Sequence, residues 1–239
     1  MSRPAADPTL DLSRYELVIF DCDGVLVDTE PTTNRLLAEV ITEAGWPVST
    51  DDSIELFKGT DLNHVVTMAE KRVGRPLPDL LSDYRARMFE AFEAGIDAID
   101  GAAELLDRLD DLSADAAGPR RCVASNGPHN KMQASLRSAG LHDRFEDAGV
   151  DRIFSAYDIG RWKPEPDLFL HAAEQMNASP KASLVIEDSV SGVHAARAAG
   201  MHVVALAGLT SERALGEAGA TSVIRTLRSL VRATGGSPL

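Results

Sequence analysis

Five short, mainly apolar runs punctuate the chain, at 15–20, 121–125, 184–187, 203–206 and 222–224. Most are rich in Val and Ile. Runs of this length with no polar alternation predict strands buried on both faces, as in a parallel sheet. Between and after them, apolar residues recur at helical spacing over 101–109, 130–139, 166–176, 192–199 and 211–218. Strands alternating with helices predict an α/β fold, a Rossmann-like doubly wound parallel sheet covered on both faces.

One stretch departs from the alternation. From Thr32 to Ala98 the pattern is helical only, with helices expected over 34–44, 63–73 and 80–94 and no convincing strand. It falls between the first and second strands. The expectation is a core domain of residues 1–31 and 99–239 with an inserted all-helical cap domain, residues 32–98. Ligands of doubly wound folds bind beyond the carboxyl ends of the strands, so a lobe inserted after the first strand is expected over the site.

The formal net charge is −13. A chain so acidic repels nucleic acid and anionic membranes, and an anionic substrate would need a locally positive site. The partner expected is therefore a small molecule, with the chain a monomer or weak dimer. Cys22 and Cys122 are the two cysteines, too few for a disulfide framework, and both read as reduced thiols of a cytoplasmic protein. Cys22 lies between two aspartates, which raises its pKa and argues against a nucleophilic role. Residues 1–13 lack the apolar segment of a signal peptide, and no run is long enough to span a membrane as a helix.

Four polar clusters fall at the ends of candidate strands. The first is Asp21-Cys22-Asp23-Gly24. Two carboxylates at i and i+2 can converge, one as nucleophile on phosphorus and the other as acid for the leaving oxygen and base for water. Its plain alternative is an Asx turn. The second, Ser125-Asn126-Gly127, offers a hydroxyl and backbone N–H groups to phosphate oxygens, or is a loop before a helix capped by Asn130. In the third, Arg161-Trp162-Lys163-Pro164, the proline biases Lys163 toward an extended backbone, where its ammonium could neutralise Asp21 and a phosphoryl group. Otherwise it is a solvated lysine. The fourth, Glu187-Asp188-Ser189, sets two acids at the end of an apolar strand. They suit the hard-oxygen coordination of Mg²⁺, or they cap a helix through Asp188 or Ser191. Together the clusters supply a nucleophile, an acid/base, a phosphate cradle, a cation and a metal site, the requirements of phosphoryl transfer. The histidines show no metal-ligand spacing. His129, His171 and His194 read as surface or capping residues, and Arg72, Arg75, Arg85 and Arg87 as solvated faces of the insertion.

These motifs resemble those of the haloacid-dehalogenase-like hydrolases, from about Tyr15 to Leu206. The insertion is similar to the cap of the β-phosphoglucomutase-like branch. Residue by residue, the resemblance implies Asp21 as nucleophile, Asp23 as acid/base, Ser125 and Lys163 as the phosphate-binding pair, and Asp188, supported by Glu187, as metal-binding acid. It also implies Mg²⁺ held by Asp21 and by the main-chain carbonyl of Asp23. The stretches 122–133 and 157–167 further resemble the bacterial 6-phosphogluconate phosphatases, which suggests a sugar-phosphate or sugar-acid-phosphate substrate. Substrate contacts are then expected from Lys58, Gly59, Asn126 and Lys131 beside Ser125 and Lys163. Lys131 would meet a sugar-acid carboxylate or stand as a surface residue.

Departures from the mutase pattern favour hydrolysis. Thr32 and Thr33 stand where the mutase has a histidine, and Leu62 where it has a cap arginine. Without that clamp a bisphosphate is poorly held. Dehalogenation needs neither an acid at Asp23 nor a metal site at Asp188. Phosphonatase chemistry uses a cap lysine as a Schiff base, for which Lys58 is the obvious candidate, and it ranks below hydrolysis. A catalytically silent binding protein on the same scaffold is the alternative of another class.

Overall fold

The run Leu17–Phe20 is completely buried. It forms strand β1, with Leu17 and Ile19 facing one side of a sheet and the intervening residues the other, the pleat that period two dictates. The computed structural model describes residues 10–57, 61–113 and 118–232. After β1 come helices α1 (Glu30–Glu43), α2 (Thr50–Phe57), α3 (Leu62–Val73), α4 (Leu80–Ala94) and α5 (Ala102–Ser113). Strand β2 (Arg120–Ser125) and helix α6 (His129–Ser138) follow. A 3₁₀ turn (His142–Phe145) then leads to strands β3 (Glu146–Asp147), β4 (Val150–Asp151) and β5 (Ile153–Ser155). The chain continues through α7 (Ala156–Ile159), α8 (Asp167–Gln175), β6 (Ser183–Glu187), α9 (Val190–Ala198), β7 (His202–Leu206), α10 (Glu212–Glu217), β8 (Ser222–Ile224) and α11 (Arg228–Arg232).

Six strands form one parallel sheet in the order β5-β2-β1-β6-β7-β8. The five expected strands are all in it. The sixth, β5, is a three-residue edge strand that its own sequence does not announce. The short β3–β4 ribbon, antiparallel, was also not anticipated. Winding reverses at the middle of the sheet: the chain moves from β1 outward to β2 and β5, then returns to β6 on the other side of β1. The β1–β6 seam is thus the switch point where doubly wound sheets open a crevice at their carboxyl ends.

Helices hold the sheet by burying opposite faces of it. Leu17, Ile19, Cys122, Ala124, Val185 and Val203 pack with Leu168, Phe169 and Ala172 of α8 and Val193 and Ala196 of α9 in one continuous core. Phe20, on the other face, meets Phe145 edge-to-face at 5.9 Å between ring centres. Burial of one such side chain contributes about 1.5–3 kcal/mol, so the sheet's stability rests on many of these contacts together.

The chain divides into two compact units, residues 1–28 with 97–239, and residues 29–96. The partition lies two to three residues before the expected boundaries, because Thr29 to Pro31 belong with helix α1. Asp28 N–H donates to the Asp97 carbonyl at 2.9 Å and Val27 bridges Ala98, which closes the crossing segments within the first unit. The described residues of the second unit hold helices α1–α4 and no strand. Its α1 and α4 bury Leu37, Ile41, Tyr84, Met88 and Phe92. Asp61 caps α3 by accepting from Asn63 N–H at 2.8 Å, and Gly74 ends the helix in a left-handed turn. Arg87, expected on a solvated face, is partly exposed and forms a two-pronged surface pair with Glu43. No helix among the described residues is long and apolar enough to cross a membrane.

Candidate active site

Asp21 follows β1 directly, and its N–H donates to the Ile186 carbonyl of β6 at 2.9 Å. This bond continues the β1–β6 ladder one residue beyond the strand and sets Asp21 beside Glu187, the last residue of β6. Both carboxylates are buried, and between them lies the buried ammonium of Lys163. Lys163 Nζ donates to Asp21 Oδ1 at 2.5 Å and to Glu187 Oε1 at 2.8 Å. It also sits 4.8 Å from the centre of the Phe169 ring. The solvated-lysine reading of Lys163 is therefore wrong, because two buried carboxylates without a cation would carry an intolerable desolvation cost.

Lys163 is not on a regular element, and its position is fixed by Asn126. Lys163 N–H donates to Asn126 Oδ1 at 2.9 Å, and Asn126 Nδ2 donates back to the Lys163 carbonyl at 3.4 Å. Asn126, expected to touch substrate, has both ends of its amide committed to this loop. Ser125, the last residue of β2, is buried, and its Oγ accepts from Gly127 N–H at 3.3 Å. One of the backbone donors expected for a phosphate is thus directed at the serine.

Glu187 is held from its other side. Its Oε2 accepts from Ser189 N–H at 2.7 Å and Ser189 Oγ at 2.8 Å. Ser189 in turn caps α9 by accepting from Gly192 N–H at 3.0 Å. The capping reading of Asp188 and Ser191 is corrected by this bond: the hydroxyl of Ser189 occupies the cap. Two glycines make room for the acids. A Cβ at Gly192 would overlap the Glu187 carboxylate, and one at Gly24 would overlap that of Asp188. Gly24 also has φ +76°, a left-handed conformation costly for other residues.

Asp21, Glu187 and Asp188 each present an oxygen within 4.8 Å of the others. Three converging carboxylates are a hard donor set, and their repulsion is of the kind a bound Mg²⁺ relieves. The Asp23 side chain is not in that cluster. Its Oδ2 accepts from Lys131 Nζ at 2.6 Å, with both side chains about a quarter exposed. Lys131 is therefore not a plain surface residue but is paired with an acid of the site. Lys58 and Gly59 lie outside the described residues.

The charges follow from these neighbours. Burial, then the Glu187 and Asp23 charges, push the Asp21 carboxyl up to about 6 against the pull of Lys163. Burial alone would lower the Lys163 ammonium, but Asp21 and Glu187 outweigh it and hold its pKa above the ordinary lysine value. The Cys22 thiol is pushed far up, by burial first and by Asp23 and Asp21 after it. It is inert, as expected, though desolvation contributes more than the flanking aspartates.

Sequence reasoning missed the Lys163–Glu187 contact and the Asn126 clamp. It also missed a second group of side chains able to ligate a metal, His142, Glu146 and Asp151. The spacing His-x₃-Glu-x₄-Asp was the available signal.

Residues 15–200 match the haloacid dehalogenase-like hydrolases as a family. The 6-phosphogluconate phosphatase of Escherichia coli is 36% identical over 194 residues, 80% of this chain and 82% of that protein. A haloacid dehalogenase-like protein of unknown function from Agrobacterium tumefaciens superposes with TM-score 0.75 at 36% identity, covering 90% of this chain and 96% of that one. A hydrolase from Deinococcus radiodurans, solved with bound phosphate and sodium, does so with TM-score 0.73 at 30% identity, covering 91% and 94%.

Proposed function

The chain belongs to the haloacid dehalogenase-like hydrolase family, and on that footing we propose that it hydrolyses the phosphate ester of a small sugar or sugar acid, 6-phosphogluconate being the first to test. The observation that carries this reading is the buried Asp21–Lys163–Glu187 cluster at the switch point, with Asp188 beside it. It gives one carboxylate a fixed position, a fixed counter-charge and adjacent acids able to take a metal.

Asp21 attacks phosphorus and holds the phosphoryl group as an aspartyl-phosphate. Asp23 gives its proton to the departing alkoxide, then takes one from the water that cleaves the intermediate. Lys163 and Ser125 stabilise the phosphoryl oxygens in flight. Asp21, Glu187, Asp188 and the main-chain carbonyl of Asp23 are the groups proposed to hold Mg²⁺, which when bound offsets negative charge between the acids and the phosphate. Residues 32–98 are proposed as the cap of the family's β-phosphoglucomutase-like branch. The identity with a 6-phosphogluconate phosphatase supports the choice of substrate class.

A panel of phosphate esters containing 6-phosphogluconate, β-glucose 1-phosphate and an aryl phosphate tests the proposal. Phosphate release in Mg²⁺ and its loss in EDTA are expected, with β-glucose 1-phosphate yielding free phosphate. Accumulation of glucose 6-phosphate would instead identify a mutase. Silence across the panel would favour a binding protein.

Gly24→Ala should displace the Asp188 carboxylate. The Mg²⁺ concentration needed for half-maximal activity should rise about 10- to 100-fold, while activity at saturating Mg²⁺ is largely recovered. An unchanged Mg²⁺ requirement would show that Asp188 does not hold the ion.

A further inference from the structure

His142 opens the 3₁₀ turn before the β3–β4 ribbon, in the segment leading into β5, and it is 5% exposed. Its Nε2 is shielded from solvent and has no hydrogen-bond partner among the described residues. Buried polar atoms are almost always paired, so this one calls for an explanation. Asp151 Oδ1 lies 3.6 Å from Nε2. That is too long for a hydrogen bond. It is close to the roughly 3.4 Å that separates two ligand atoms on one tetrahedral ion with bonds of about 2.0–2.1 Å.

The surroundings aim the same groups inward. Asp151 Oδ2 accepts from Gln133 Nε2 at 2.7 Å, which leaves Oδ1 turned to the imidazole. A hydrogen bond to the oxygen away from the ion is how ligating carboxylates are commonly oriented. Glu146 stands directly opposite Asp151 in the β3–β4 register. Like charges facing each other across a ribbon repel unless a cation joins them. The ligating atoms of His142, Glu146 and Asp151 all lie within 4.8 Å of one another.

We infer that His142, Glu146 and Asp151 form a second cation site, one for a divalent first-row transition metal of the zinc kind. Imidazole with two carboxylates suits such an ion, whereas Mg²⁺ and Ca²⁺ take oxygen ligands. The ion ties the β3–β4 ribbon to the turn before it and takes no part in phosphoryl transfer.

Zn²⁺ is titrated into the full chain in excess Mg²⁺, with the ring nitrogens of His142 followed by NMR. Zinc should shift His142 Nε2 in a saturable manner. Glu146→Gln and Asp151→Asn, both at the rim, should each weaken that response at least about tenfold. They should leave phosphate release in Mg²⁺ unchanged, because neither residue belongs to the Asp21 site. Asp188→Asn separates the two sites and should retain the His142 response. The inference is overturned if millimolar zinc leaves the His142 ring unmoved. It is equally overturned if the response survives the Glu146→Gln/Asp151→Asn double variant.

Discussion

Asp21→Asn should lower the rate of phosphate release by at least about 10³-fold, because an amide cannot attack phosphorus in place of a carboxylate. The loss should appear in kcat and persist at saturating substrate and Mg²⁺. The fold should survive. Asp21, Glu187 and Lys163 together carry one excess negative charge in a buried space. Asparagine removes that excess and leaves Lys163 paired with Glu187 at 2.8 Å. The variant should therefore unfold at a urea concentration equal to or above that of the parent chain, the familiar trade of activity for stability. Activity within tenfold of the parent would remove Asp21 from the chemistry.

Lys163→Met should be the most damaging single change to stability. It keeps an apolar stem beside Phe169 but strands two carboxylates, 7% and 1% exposed. Breaking a buried pair by removing one partner costs about 3–5 kcal/mol. The pH dependence has a definite sign. Asp21 already has a folded pKa raised to about 6 from 3.8, so its ionisation works against the fold above its unfolded value. Without Lys163 that folded pKa rises further, and the penalty is greatest at neutral pH. As pH falls through the raised value the Asp21 carboxyl takes up a proton and its share of the penalty is lost. Urea unfolding of the metal-free variant should thus show a deficit at neutral pH that shrinks on acidification. A deficit independent of pH would mean that packing, not charge, is what Lys163 supplies.

The sheet was legible because its central strands are continuous apolar runs. Leu17–Phe20 needs no partner to be recognised as buried. Ile153–Ser155 was not legible, since three residues make no period and only the register with Val123–Ser125 makes them a strand. The site divides in the same way. Asp21, Ser125 and Glu187 could be placed because each ends a readable strand. Their connections could not. The neutralisation of Asp21 by Lys163 was the exception; Lys163 reaches Glu187 across 24 residues and Lys131 reaches Asp23 across 108, and neither separation carries a local signal. Asn126 shows the consequence: its place after a strand says nothing of the bond by which its amide holds the backbone of Lys163. His142 shows the converse, a residue whose spacing to Glu146 and Asp151 is weak as a pattern until the ribbon folds Asp151 back toward it.

The central claim is a covalent phosphoryl group on Asp21, and the Asp23→Asn variant with an aryl phosphate tests it most directly. A phenolate leaves with little help from an acid, so the first transfer should proceed. The second should stall, because asparagine cannot accept a proton from water. The account predicts a burst of one phenol per chain, followed by slow release, with the acid-quenched chain carrying its phosphoryl group on Asp21. Steady turnover without a burst, and with Asp21 unmodified, would contradict it.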